Sequence, residues 1–170
     1  MKKSLLRFSF LVFGLVTVLF VAGCNSSTKK RDYEMTAARF FIEASEGDAF
    51  ASATLPISGV RVTLNNKPMI TEFDIVSVEA AKSDMGQFLV FQLTPEAARD
   101  LYRFTGDNQG KRLVLAINGR ALGARVIDRP FGAGSIAIFA ELPEDQLPAL
   151  IKNINGTSAD IQKEIAKQKS

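Results

Sequence analysis

Apolar and polar residues alternate along much of the chain after residue 37, a pattern typical of strands that bury one face. In residues 38–44, Phe40 and Ile42 share one side of such a strand and Phe41 lies on the other. Asn118-Gly119 supplies the positive φ angles of a tight hairpin turn. We expect strands over residues 38–44, 59–64, 73–81, 87–93, 112–118, 120–127 and 135–140.

Two segments have the spacing of helices instead. Thr94-Pro95-Glu96 is a typical helix start, with a capping hydroxyl, a proline at the first helical position and an acid near the positive end of the dipole. An apolar stripe of Ala97, Leu101 and Phe104 should follow, and Gly106 should end the helix. The second helix is expected to carry the stripe Leu147, Leu150, Ile151 and Ile154 and to stop at Asn155-Gly156.

This order of elements predicts an α+β fold with a mostly antiparallel sheet and two helices packed on one face. Residues 37–155 form the predicted domain, and residues 156–170 form a C-terminal helical tail. Within that tail, the run Asp160–Ile165 either docks on a partner helix or frays as a terminal helix.

The N-terminal part of the chain has a different pattern. Lys2, Lys3 and Arg7 precede a stretch without charges over residues 8–23, which is shorter than the roughly 20 residues of a membrane span. The stretch ends in Val21-Ala22-Gly23-Cys24, and polar residues follow at once. This arrangement resembles the lipobox of bacterial lipoproteins, which implies removal of residues 1–23 and a covalent lipid on Cys24. Residues 24–36 are then a flexible tether.

Two other interpretations of the N-terminus stay open, an uncleaved signal anchor and an ordinary cleaved secretory signal. In the lipoproteins that the lipobox resembles, the residue after the cysteine directs sorting. Asn25 is not the aspartate associated with retention in the inner membrane. The resemblance therefore implies a protein that faces the periplasm from a lipid anchor, in the outer membrane rather than the inner one.

Removing the signal changes the charge balance. The whole chain has 21 basic and 18 acidic residues, and loss of Lys2, Lys3 and Arg7 leaves 18 of each. A neutral mature chain gives no electrostatic support to a nucleic-acid partner, so we expect none.

The residue types that most enzymes need are missing. The chain has no histidine and one cysteine, which the lipid would occupy. This excludes Ser-His and Cys-His nucleophilic pairs, most zinc and copper sites, and an internal disulfide. We expect a protein that is not an enzyme, with no catalytic residue, no bound metal and no cofactor besides the lipid.

Several motifs occur in the order in which a known family has them. Residues 91–99 (FQLTPEAAR), Thr105 with residues 108–113 (NQGKRL), residues 116–119 (AING) and residues 134–136 (GSI) resemble the head subdomain in the first periplasmic loop of SecD, a subunit of the Sec translocase. The resemblance covers residues 72–154. It implies a domain that contacts a protein or peptide, because the SecD head is implicated in contacting emerging preproteins. The translocase motor lies in membrane helices, which this sequence lacks after Cys24.

Basic residues gather between positions 99 and 129, where acids are few (Asp100, Asp107 and Asp128). They predict a binding patch for anionic headgroups, cell-wall polymer or an acidic partner, unless they only solvate the outer faces of a helix and a hairpin. The candidate patch consists of Arg99, Arg103, Lys111, Arg112, Arg120, Arg125 and Arg129.

Three other groups of residues have simpler interpretations. Glu72 and Asp74 would share one strand face as a carboxylate pair, but an exposed strand entry explains them more simply. Glu43, Glu46 and Asp48 surround a turn without the spacing of a cation-binding loop. Gly132-Ala133-Gly134 lacks the context of a nucleotide loop and is expected to be a turn.

The sequence therefore predicts a non-catalytic, lipid-anchored envelope protein whose domain binds an envelope protein or an exported polypeptide. The alternative is a structural envelope factor that binds wall polymer or an anionic membrane surface through the basic patch.

Overall fold

A computed structural model describes residues 31–45 and 47–168 of the chain. The signal predicted over residues 1–23, Cys24 and Glu46 lie outside the described residues. The described part contains eight strands and two α-helices: β1 Ala38–Ile42, β2 Ala51–Thr54, β3 Arg61–Leu64, β4 Ile75–Ser83, β5 Gly86–Leu93, α1 Pro95–Asp107, β6 Arg112–Ile117, β7 Arg120–Val126, β8 Ser135–Ile138 and α2 Leu147–Gln168. A 3₁₀ turn, Glu144–Gln146, leads into α2.

The predicted α+β class is confirmed, and all strand pairs are antiparallel. The strands form two three-stranded sheets, β1-β6-β7 and β4-β5-β8, and a separate β2-β3 hairpin. The predicted Asn-Gly turn joins β6 to β7, with φ of 49° at Asn118 and 81° at Gly119. β2 was not predicted, because its sequence ASAT has no large apolar residue to mark a buried face.

The main core is one cluster that combines residues of both three-stranded sheets with residues of both helices. Phe40 of β1 and Phe91 of β5 are fully buried, and their rings meet edge to face with centroids 5.0 Å apart. Such a pair contributes about 1 kcal/mol beyond the area that it buries. The opposite face of the β1-β6-β7 sheet packs under the β2-β3 hairpin, through residues such as Val114 and Val62.

Helix α1 begins as predicted, because Thr94 Oγ1 accepts a hydrogen bond from the N–H of Ala97 at 3.4 Å. Its stripe differs from the prediction at one position. Ala97, Leu101 and Thr105 are buried, whereas Phe104 is 50% exposed. The buried positions are four residues apart, so Thr105 faces the core and its apolar neighbour Phe104 does not.

The predicted end of the second helix at Asn155-Gly156 is wrong, because α2 continues through both residues to Gln168. Both residues make tertiary contacts that explain why they occur inside a helix. A Cβ at Gly156 would lie 2.5 Å from the ring of Tyr33, so this position has to be glycine for the ring to pack there. The predicted tail is therefore the second half of α2.

The last residues of the predicted tether lie against α2. The N–H of Thr36 donates to Thr157 Oγ1 at 2.9 Å, the N–H of Glu34 donates to Asn153 Oδ1 at 3.1 Å, and the hydroxyl of Tyr33 donates to Asp160. Residues 33–36 are consequently part of the domain. No helix among the described residues is both long enough and apolar enough to cross a membrane.

Asn155 gives α2 a second role, as a cover for the outer edge of β4. Its side-chain amide accepts from the N–H of Val78 at 2.7 Å and donates to the carbonyl of Val78 at 2.8 Å. Two turns further along the helix, Gln162 Nε2 donates to the carbonyl of Phe73 at 3.0 Å. The helix thus satisfies backbone groups that a neighbouring strand would otherwise pair, which protects this edge from association.

We predict that Asn155→Ala lowers the free energy of unfolding by about 1–3 kcal/mol, because it leaves the N–H and carbonyl of Val78 without their partner. The matched control is Asn153→Ala, which removes one exposed hydrogen bond and should cost less than about 1 kcal/mol. Urea denaturation of both variants measures the difference. Equal losses would contradict the edge-covering role of Asn155.

Candidate functional site

The outer face of the β4-β5-β8 sheet carries an apolar groove. Because Leu89 and Phe91 point into the core, the alternate residue Phe88 points outward. Phe88 lies beside Phe139, which follows β8, with ring centroids 5.6 Å apart. The groove has a volume of about 400 Å³ and is lined by Ser83, Met85, Phe88, Ala124, Arg125, Ala137, Ile138 and Phe139.

Large apolar side chains in this groove contact solvent. Met85 in the β4-β5 turn is 81% exposed, and Phe139 is 41% exposed. Ala124 and Arg125 of β7 form the opposite wall. Exposed apolar groups that gather in one concavity mark a binding surface more often than scattered ones do. Flexible methionine and flat aromatic rings are suited to apolar side chains of varied shape.

Arg125 lies at one end of the apolar groove and links β7 to β8. Its Nη1 donates to the carbonyl of Ala137 at 2.8 Å, and its guanidinium carbon lies 4.6 Å from the ring centroid of Phe131. The ladder between β5 and β8 explains why that carbonyl is available. The N–H of Leu93 donates to Gly134, so in an antiparallel pair the backbone groups of Ser135 and Ala137 point away from β5.

The loop after β7 packs on α1 and forms a second concavity, which we call the arginine cleft. The hydroxyl of Thr105 accepts from the N–H of Phe131 at 2.9 Å and donates to the carbonyl of Leu101 at 2.6 Å, which fixes the loop on the helix. Gly132 lies under Tyr102, where a Cβ would be 3.7 Å from the ring. This loop is the turn that was predicted for Gly132-Ala133-Gly134.

The arginine cleft has two parts that meet at Gly132. The first, of about 390 Å³, is lined by Ala98, Arg99, Tyr102, Arg103 and Gly132. The second, of about 190 Å³, is lined by Arg125, Arg129, Pro130, Phe131, Gly132, Ala133, Ser135 and Ala137. Four residues of the predicted basic patch therefore lie around one surface: Arg99, Arg103, Arg125 and Arg129.

The structure does not bring the other three basic residues to this surface. Arg112 binds Glu43 and the carbonyl of Arg61. Arg120 pairs with Ile117 in the β6-β7 turn, at the opposite end of the hairpin from the Arg112–Val126 pair. Lys111 Nζ donates to Asn108 Oδ1 at 3.0 Å. The predicted patch is thus divided, because Arg120 lies at the far end of the hairpin, while Arg112 and Lys111 are bound to Glu43 and Asn108.

The carboxylates that the sequence singled out are used within the fold. Glu72 accepts two hydrogen bonds from Arg39, at 2.7 and 2.6 Å. Asp74 precedes β4 and accepts from the N–H and the hydroxyl of Thr71, both at 2.8 Å. Within residues 31–45 and 47–168, no three acidic residues come close enough together to hold a metal ion. The interaction with Arg39 lowers the pKa of Glu72, so that this carboxylate stays charged.

Arg112 and Glu43 form a similar forked pair between β6 and the end of β1. Arg112 Nε donates to Glu43 Oε2 at 2.7 Å, and a second contact joins Nη2 to Oε1. The hydrogen bond from Arg112 lowers the pKa of Glu43 below its ordinary value of 4.5 and outweighs the opposing effect of burial. This pair joins the sheet to β3, because Arg112 also reaches the carbonyl of Arg61.

These features define the class of protein: an α+β domain with a solvent-facing apolar groove and an adjoining arginine cleft. The structure is similar to two structures of SecDF. A crystal structure of SecDF in a super-membrane-facing form matches with a TM-score of 0.58 at 19% identity, over 71% of this chain. A structure of SecDF, described as a membrane component that enhances protein export, matches with a TM-score of 0.57 at 18% identity, over 79% of this chain.

These likenesses establish the fold that the sequence motifs predicted, a domain like one in SecDF. This chain spans 19% of the first SecDF chain and 70% of the second. No protein-family model matches the sequence, and no curated protein is significantly similar to it.

We predict that the contribution of Glu43 to stability depends on pH. Because its folded-state pKa is lowered, the contribution is present above the ordinary pKa of 4.5 and is lost as pH falls through the folded value. Glu43→Gln should therefore destabilise the protein at about pH 7, by roughly 1–3 kcal/mol, and much less at about pH 3. Urea denaturation at both pH values measures the two differences.

The matched control is Glu79→Gln, on the exposed side of β4, where none of the described residues forms an ion pair with the carboxylate. It should unfold like the wild type at both pH values. A Glu43→Gln deficit that stayed constant with pH would show that the pair with Arg112 is not its origin.

Proposed function

We propose that this protein is a non-catalytic lipoprotein, anchored in the outer membrane through Cys24 and facing the periplasm, that binds an extended segment of another polypeptide. The observation that carries the proposal is the apolar groove on the outer face of the β4-β5-β8 sheet. An extended apolar segment fits a shallow groove of this kind, because alternate side chains can pack between Met85, Phe88 and Phe139.

The SecDF-like fold supports this proposal. SecDF is a membrane component that enhances protein export. A domain of the same fold attached to the membrane by a lipid would meet polypeptides in the envelope without a motor of its own. The fold by itself does not carry a function, so the groove residues are the ones to test.

The anchor is supported by Val21-Ala22-Gly23-Cys24 after an uncharged stretch, with polar residues following it. Residues 33–36 pack on α2, so at most the residues from 25 to 32 separate the lipid from the domain. Fully extended, that length of chain reaches about 30 Å. A domain held this close to the membrane would take up polypeptides at the membrane surface.

The alternative function, binding of wall polymer or an anionic membrane through one basic patch, has less support. That function needs a broad basic face, whereas Arg112 is paired with Glu43 and Arg120 lies at the far end of the β6-β7 hairpin. The four arginines that do cluster lie in a cleft beside the apolar groove.

We predict that Phe139→Glu weakens the binding of a short, extended, apolar peptide by about tenfold or more, because it places a charge in the apolar groove. The control is Phe73→Glu, which makes the same change at a phenylalanine of similar exposure outside the groove. Fluorescence anisotropy of the labelled peptide measures both, with the full-length protein in neutral lipid nanodiscs and empty nanodiscs subtracted. Equal affinities for the wild type and Phe139→Glu would rule out the groove as the binding site.

We predict that Cys24→Ala releases the protein from the membrane fraction or leaves it with an uncleaved N-terminus. Both outcomes follow if Cys24 is the attachment point of the lipid. Mass spectrometry of the mature N-terminus measures the modification directly and should find a lipidated Cys24 in the wild type. Recovery of an unmodified cysteine, with residues 1–23 still attached, would support a signal anchor instead.

A further inference from the structure

The apolar groove and the arginine cleft adjoin each other, and we call the two together the track. Arg125 and Ala137 line both of them, and Gly132 joins the two parts of the cleft. The track therefore runs from the β4-β5 turn, across the outer face of β5 and β8, past the loop after β7, and onto the outer face of α1. A ligand long enough to leave the apolar groove at Arg125 enters the cleft.

The chemistry of the surface changes along the track. Met85, Phe88 and Phe139 line the apolar end, whereas Arg99, Arg103 and Arg129 line the other end. Tyr102 stands between Arg99 and Arg103 on α1, and 54% of it is exposed. A ligand that is apolar throughout would gain nothing from these arginines, because their guanidinium groups prefer carboxylate partners.

The acids near the cleft leave most of its positive charge available. Asp100 lies 3.7 Å from Arg103, and both side chains are more than half exposed, so this pair is weak. None of the residues in the described ranges forms an ion pair with Arg99 or Arg129. Asp128 precedes Arg129 but does not line the cleft.

The backbone at the centre of the track is suited to an extended chain. The N–H and carbonyl of Ser135 point away from β5, on the same side as the carbonyl of Ala137 that Arg125 binds. Ser135 lines the arginine cleft. Main-chain groups of an extended peptide can pair with such an edge, whereas a carbohydrate polymer has no matching repeat of donors and acceptors.

We propose that the ligand is a bipartite polypeptide segment, with apolar residues in the groove and acidic residues in the arginine cleft. This inference rests on the proposed function and makes its ligand class specific. The apolar part of the segment buries apolar surface in the groove. The acidic part determines in which direction the segment lies along the track and which segments are bound. Arg99, Arg103 and Arg129 are then the residues that determine specificity.

The test compares two labelled peptides that share one apolar half and carry either glutamates or glutamines in the other half. Full-length protein in neutral lipid nanodiscs is titrated against each peptide. The wild type should bind the glutamate peptide about tenfold more tightly, because two or three exposed charge pairs each contribute a few-fold. This preference should shrink as the salt concentration rises.

The double variant Arg99→Glu with Arg103→Glu should lose the preference, because its affinity for the glutamate peptide falls by about tenfold more than its affinity for the glutamine peptide. Arg120→Glu is the matched control, because it reverses an exposed arginine outside the track and should leave the preference intact. If the charge reversal impairs folding, Arg99→Gln with Arg103→Gln tests the same point with a smaller change.

The outcomes separate this inference from the proposed function. If neither peptide binds the wild type, the proposed function fails. If both bind with equal affinity, peptide binding stands and the bipartite ligand is overturned. The inference is also overturned if purified cell-wall sacculi retain the wild type but not the double variant while the peptides show no preference. In that case the arginine cleft binds wall polymer.

Discussion

The contact between Phe40 and Phe91 determines which faces of the two three-stranded sheets are buried. Side chains alternate along a strand, so burying Phe91 and Leu89 forces Phe88 outward. A slip of one residue in β5 would exchange the two sets and place the apolar groove in the core. The groove is therefore a direct consequence of the packing that holds the domain together.

The two edges of the β4-β5-β8 sheet differ in how far other parts of the chain cover them. The edge of β4 is covered by α2, through the side chains of Asn155 and Gln162. Beyond β8, the N–H of Glu141 donates to the carbonyl of Leu122 in β7, but along β8 itself the contacts with β7 are the hydrogen bond from Arg125 and the approach of Phe139 to Gly123. One edge is protected against association, and the other lines a solvent-facing track. This asymmetry is the structural basis of the proposed peptide binding in a SecDF-like fold.

Local signals predicted most of the elements. Alternation located every strand of the two larger sheets, Asn118-Gly119 located a hairpin turn, and Thr94-Pro95 located the start of α1. These features depend on residues that are neighbours in the sequence, so they can be recognised from the sequence alone. The signal failed for β2, whose small residues rely on pairing with β3, and at Gly156, whose missing side chain makes room for Tyr33.

The candidate site was only partly visible in the sequence. The basic residues were found, but their partners were not, because the hydrogen bonds of Arg112 to Glu43 and of Arg125 to Ala137 join residues of different elements, 69 and 12 positions apart in the sequence. The apolar groove was missed altogether. Met85, Phe88 and Phe139 belong to separate elements, and nothing in their local pattern distinguishes an exposed cluster from a buried one.

By itself, the amino-acid sequence determined the α+β class, most of the strand and helix positions, the resemblance to the SecD head and the prediction of a lipid on Cys24. It did so because periodicity, capping and short motifs act over a few residues. Only the tertiary structure decided which arginines share a surface and which apolar side chains stay in solvent. Those properties depend on how the two sheets pack together and on which strand edges remain open.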